Sequence, residues 1–199
     1  MKHYDIKKIA HTIIFFLDKE VKYLGVTKLM KLFFYADKYH LEAYGTAIFK
    51  HTYTKLPRGP EPTWLYSIIR TVVSGSRDYD FEEEVDVFNK YINVSEVSNT
   101  NASQSVTFTR KKDFDSQFFS KSQLNILIKV ATEFKEMSKS EISDKSHDTK
   151  AWKSVGENQL ITYASMVEDN CVSEYVNFIQ SEKNNFSQSF QRAKLESVC

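Results

Sequence analysis

From Asp5 onward, Ile6, Ile9, Ala10, Ile13, Phe16 and Leu17 recur three and four residues apart, which puts them on one face of a helix over residues 5–19. Leu24-Gly25-Val26 interrupts that pattern. Thr27 is placed to cap a second helix whose inward stripe is Leu29, Leu32, Phe33, Ala36, His40 and Ala43, and Gly45 supplies its stop. A short connection between two such helices predicts an antiparallel pair packed face to face.

The period then changes. Residues 47–56 alternate loosely and are rich in Thr, Tyr and Ile or Phe, which predicts a short strand. Residues 57–62, with Pro57, Gly59, Pro60 and Pro62, read as an irregular loop. Leu65, Ile68, Ile69 and Val72 restore helical spacing over residues 64–73, opened by Pro62 or Thr63. Between residues 74 and 119 the pattern is least regular. Residues 84–91 and 104–110 each alternate with period two around a polar Ser/Asn/Thr loop, and predict a small antiparallel hairpin or sheet edge.

Two stretches, Ser120-Lys121-Ser122-Gln123 and Ser138-Lys139-Ser140-Glu141, have the capping-box spacing that starts helices. The first is expected to run to about residue 136 with Leu124, Leu127, Ile128, Ala131 and Phe134 inward, the second to about 146. A last helix over 168–182 carries Val172, Tyr175, Val176 and Ile179 on one face. The predicted fold class is therefore α+β, mainly α: a helical domain with a small antiparallel β element. One domain spans 1–183 with a β-containing insertion around 74–119, and 184–199 is a polar C-terminal tail, frayed or disordered.

Composition narrows the function classes. A 41% hydrophobic fraction with 15 Phe and 11 Tyr in 199 residues supplies a core without disulfides or metals, and only 5 Gly and 3 Pro argue against a turn-dense β fold. Lys+Arg 27 against Asp+Glu 26 leaves a net charge of +1, so nothing draws the chain to nucleic acid. Its densest basic run, Arg110-Lys111-Lys112, is broken at once by Asp113. Cys171 and Cys199 lack the spacing of a disulfide framework or a zinc site, which fits a reducing, cytoplasmic setting. No apolar run approaches the ~18 residues of a bilayer span, so no membrane is expected.

Chemistry leaves few marks. The chain has no nucleophile elbow, phosphate loop or zinc-protease motif, so no catalytic residue, metal or cofactor is assigned. His147-Asp148 offers an acid/base pair without an identified nucleophile, and His11 and His40 read as core or boundary histidines rather than ligands. Three features stand out. Lys28 and Lys31 lie where the helix dipole disfavours cations, as partner-facing or merely solvated side chains. Arg58-Gly59-Pro60 reads equally as recognition loop or connector. Trp152 is a core plug or an interface anchor.

Asp5-Ile6-Lys7-Lys8-Ile9-Ala10, the run Thr27-Lys28-Leu29-Met30-Lys31-Leu32-Phe33-Phe34-Tyr35-Ala36 leading to His40-Leu41, Gly59-Pro60, and Ser146-His147-Asp148 before Ala151-Trp152 together resemble the Panacea, or SocA-like, antitoxin domain over residues 4–180. Arg58 stands where that family usually has an aromatic residue, and Ala151 where a proline commonly precedes the tryptophan. The resemblance implies a cofactor-free antitoxin of a bacterial or phage toxin–antitoxin system, with a role in phage defence, that binds a cognate protein toxin; one type of the family also delivers its toxin to a AAA+ protease. It places partner binding on Lys28, Lys31, His40, Arg58, Gly59, Pro60 and Trp152. Two other classes stay open: a cofactor-free hydrolase or nucleic-acid-modifying enzyme with a site dispersed over His40, His147 and Asp148, and a regulatory adaptor without a toxin.

Overall fold

A computed structural model describes residues 5–75, 81–98 and 104–196. Helix α1, Ile6–Asp18, begins at Asp5, whose carboxylate accepts the Lys8 amide at 3.0 Å. Helix α2, Val26–Tyr44, starts from an extended Gly25 with no side-chain cap, so Thr27 lies inside the helix rather than at its cap. Gly45, at φ 67, closes it in the left-handed conformation that a glycine adopts without strain. From Lys28 to Leu41 every side chain of α2 but Tyr39 is buried, whereas Ala43, expected inward, is exposed. A helix apolar on most sides belongs at the centre of a domain.

Around α2 stand β2, Gly59–Pro62; α3, Thr63–Ser74; α5, Lys121–Phe134; and α6, Lys139–His147. Helix α1 instead lies against α4, Glu82–Asn89, and the hairpin of β3, Ile92–Ser98, with β4, Gln104–Arg110. The expected face-to-face pairing of α1 with α2 is thus not formed. Both helices feed one apolar cluster, but α5, α6 and β2 take the close positions along α2.

The β content also differs in place. Strand β1, Tyr53–Leu56, pairs antiparallel with β2 through the two-residue turn Pro57-Arg58, and on its other side with β5, Leu160–Ile161. Residues 59–62 are therefore a strand rather than a loop. Pro60 and Pro62 are tolerated because β2 is the edge of the sheet, where the missing amide hydrogens break no ladder on the outer side.

Residues 84–91, expected as a strand, belong mostly to α4. Three glutamates, Glu82 to Glu84, sit in its first turn where the dipole favours anions, and Phe81, Val85 and Phe88 recur at helical spacing toward the core. The β3–β4 hairpin pairs Ile92 with Arg110 through Ser98 with Gln104, so its first strand lies further along the chain than expected. The polar loop between them falls outside the described residues.

Both capping boxes form: Ser120 with Gln123 opens α5, and Ser138 with Glu141 opens α6. On α5, Ile126 and Val130 are buried, while Ile128, expected inward, is 47% exposed. Helix α7, Lys150–Lys153, follows α6 through Thr149, whose hydroxyl accepts the Trp152 amide. Helix α8, Asn170–Glu196, is longer than expected and runs through the stretch read as a tail; its Tyr175 and Phe178 are exposed. No helix among the described residues is long and apolar enough to cross a membrane.

Candidate partner-binding site

Lys28 and Lys31 are fully buried, against either reading of them as solvated or partner-facing charges. The Lys28 ammonium donates to the carbonyls of Lys22 and Met137 at 2.6 Å and of Lys135 at 3.1 Å, one acceptor for each hydrogen. It locks the α1–α2 connection to the junction of α5 and α6. Lys31 Nζ donates to the Pro60 carbonyl at 2.9 Å and lies 3.7 Å from the Glu61 carboxylate. Burial pushes both ammoniums down to about 8, opposed by Glu136 and Glu141 at Lys28 and by Glu61 at Lys31.

Lys31 thereby holds the β1–β2 hairpin from below. Above it, Gly59 has φ 100, and a β-carbon there would collide with Ser146 Oγ and stand 2.8 Å from Lys31 Cε. A residue with a side chain fits neither the space nor the backbone. Ser143 Oγ donates to the Arg58 carbonyl at 2.5 Å, fastening the turn to α6. The Arg58 side chain is exposed.

Beside the turn lies the half-buried Trp152. Its indole nitrogen donates to the Leu56 carbonyl at 3.4 Å, the Lys55 ammonium stands 3.9 Å from its ring centre, and the His147 ring packs on it at 4.4 Å. Lys55 is itself fixed by donation to the Val155 carbonyl at 2.8 Å. The Nε2 of His147 is buried without a hydrogen-bond partner among the described residues. Asp148 is exposed and pairs with Lys153 at 3.1 Å.

His40 is elsewhere. Its Nδ1–H donates to the Thr46 carbonyl at 2.5 Å, which leaves Nε2 to accept from the Ser122 hydroxyl at 3.2 Å, and burial lowers its pKa. It joins the end of α2 to the start of α5. Of the seven residues singled out in the sequence, Lys31, Arg58, Gly59, Pro60 and Trp152 gather at the hairpin turn, while Lys28 and His40 brace other junctions. Only Arg58 and part of Trp152 meet solvent. The dispersed enzyme site of His40, His147 and Asp148 does not converge, since each engages different neighbours.

Sequence reasoning missed Asp37. It is fully buried and accepts from the Phe49 amide at 2.8 Å and the Tyr53 hydroxyl at 2.9 Å, pinning the chain after α2 to the helix. Burial pushes its carboxyl up to about 6, with those hydrogen bonds opposing. His51, next to Tyr53 in the same cluster, is pushed down to about 3 by burial. An aspartate directly after the mostly apolar and aromatic run from Leu29 to Ala36 was the available signal. Lys38, also buried, donates to the Met166 carbonyl at 2.9 Å and pairs with Glu42 and Glu168. Among the described residues no three His, Cys, Asp or Glu side chains are placed to hold a metal.

The arrangement is that of a helical scaffold holding one stiff hairpin turn beside an aromatic anchor. Residues 29–153, from the first turn of α2 to the end of α7, match the family described as antitoxin SocA-like, Panacea domain, and the chain belongs to that family. Neither a curated protein nor a solved structure matches it.

Proposed function

We propose that this chain is the antitoxin of a toxin–antitoxin pair and neutralises a cognate protein toxin in the cytoplasm by stoichiometric binding, with residues 1–183 as the binding unit. The family match over residues 29–153 carries the reading. What supports the placement of the contact is the contrast at the β1–β2 turn. Arg58 is exposed, yet the turn under it is clamped by Lys31, Ser143 and Gly59, so little ordering entropy is lost when a partner docks. Arginine and tryptophan are the side chains that anchor interfaces most often, and Trp152 stands beside the turn. In this reading Lys28, Lys31, His40, Gly59 and Pro60 shape the surface from inside rather than touching the toxin.

The test is co-expression. A reading frame encoded beside this one should arrest growth when expressed alone and be tolerated with the wild-type chain. Arg58→Glu, an exposed change, should abolish rescue while leaving the thermal midpoint of the free protein unaltered. Rescue in a host stripped of its AAA+ proteases marks occlusion of the toxin; rescue only where they are present marks delivery. No toxic neighbour, or none that this chain neutralises, ends the antitoxin reading.

A further inference from the structure

A second site lies apart from the turn and Trp152, where the end of α2 meets the start of α5. There the buried His40 ring is fixed on both sides. Its Nδ1–H donates to the Thr46 carbonyl at 2.5 Å, and that bond sets the tautomer in which Nε2 accepts from the Ser122 hydroxyl at 3.2 Å. A hydroxyl held by an imidazole that a third group orients is the arrangement of an activated serine nucleophile. Burial, opposed by the Thr46 bond and aided by the nearby Lys8 ammonium, holds the His40 pKa below its ordinary value, so Nε2 is an unprotonated base at neutral pH.

The setting of Ser122 fits the same chemistry. It is half-buried, in the first turn of α5, with Ser120 Oγ 2.9 Å away. Because the Ser122 proton goes to His40, Ser120 is the donor of that pair. Of the first-turn amides of α5, that of Gln123 is taken by the Ser120 hydroxyl and that of Leu124 by the Ser120 carbonyl. The amides of Lys121 and Ser122 have no partner among the described residues. They sit beside the nucleophile at the positive end of the helix, as donors to a developing oxyanion do. The Tyr44 ring, 49% exposed and 4.8 Å from the His40 ring, supplies an apolar wall for an acyl group.

We propose that Ser122 and His40 form a nucleophile–base dyad that accepts the acyl group of small carboxylic esters and hydrolyses it. Ser122 Oγ attacks the ester carbonyl carbon as its proton passes to His40 Nε2; the bond to the leaving oxygen then breaks, and His40 returns the proton to that oxygen. Water, deprotonated in turn by His40, cleaves the acyl-serine to the carboxylic acid, and His40 gives the proton back to Ser122. The dyad does not depend on the antitoxin reading, and each can fail without the other.

Incubating the full chain with p-nitrophenyl acetate tests it, with phenolate release followed by absorbance and the acetyl group located by peptide mass mapping after an acid quench. The wild-type chain should release about one equivalent of phenolate in a burst before slower turnover, with acetyl on Ser122. Ser122→Ala should abolish the burst, and Ser122→Cys should carry the acetyl group on its thiol. His40→Gln should slow acetylation at least about 100-fold, the low end of what a positioned base contributes. Thermal midpoints establish that each variant is folded; if His40→Gln is not, Ser122→Ala, which leaves the His40–Thr46 bond in place, decides alone. Release that Ser122→Ala does not diminish, acetyl found only on lysines, or a folded His40→Gln with the wild-type rate each overturn the proposal.

Discussion

At Gly59, two requirements coincide in one residue: a φ of 100 and contact with Ser146 and Lys31 that a methyl group would violate. Gly59→Ala should cost on the order of 3 kcal/mol, from backbone strain and overpacking together, read as a lower urea midpoint. An unchanged midpoint would remove the clamp from the account of the turn. Lys31, directly beneath, gives a pH signature. Because its ammonium is held at about 8 against the ordinary 10.5, the unfolded chain binds more protons between those values, and stability rises with pH across that window. Lys28, also at about 8, adds to the same slope. Above pH 10 the sign turns, since burial and the nearby Glu133 hold the Tyr35 and Tyr39 phenols protonated in the fold, and that contribution is lost as pH rises. Urea unfolding between pH 7 and 11 should therefore show stability climbing from about pH 8 to 10 and falling beyond. Lys31→Met should flatten the climb; an identical slope in that variant would count against a depressed Lys31.

The capping boxes are the elements whose local sequence and tertiary setting agree most fully. Ser138 accepts the Glu141 amide at 3.3 Å while the Glu141 carboxylate accepts the Ser138 amide at 2.7 Å. Those hydrogen bonds hold the Glu141 pKa below its usual range, so this contribution is present at neutral pH and fades as pH falls through the carboxylate range. Ser138→Ala should remove about 1 kcal/mol, a fall of about 2–4 °C in Tm by calorimetry for a chain of this size. A loss below a few tenths of a degree would mean that α6 is fixed by its packing alone. Helix α6 presents Ser143 and Ser146 to the hairpin turn, so a frayed start to this helix also loosens the candidate site. Elements with weaker local signals were misplaced. Residues 84–91 alternate in sequence yet coil, because Phe81, Val85 and Phe88 find the core at helical spacing. Residues 59–62 extend because β1 offers an unpaired edge.

For the molecule as a whole, α2 is the axis on which β2, α3, α5 and α6 assemble, and Leu32 is wholly buried on it. Leu32→Ala should destabilise by about 2–5 kcal/mol in urea unfolding, the range for a large buried residue cut to a methyl group. A near-unchanged midpoint would displace α2 from the centre. Periodicity along the chain by itself determined α1, α2, α3, α5, α6 and the proximal part of α8, together with strand β4, because hydrophobic spacing and capping are local properties that survive any arrangement of neighbours. The motif run also determined the family and which residues to inspect. Only the tertiary structure decided that α2 is enclosed on nearly all sides and that α1 turns to α4 and the hairpin. It likewise decided that Lys28 and Lys31 face inward. The reason is physical: a lysine is soluble or structural depending on whether backbone carbonyls distant in sequence, here those of Lys135, Met137 and Pro60, converge on its ammonium. No spacing along a single helix encodes that convergence.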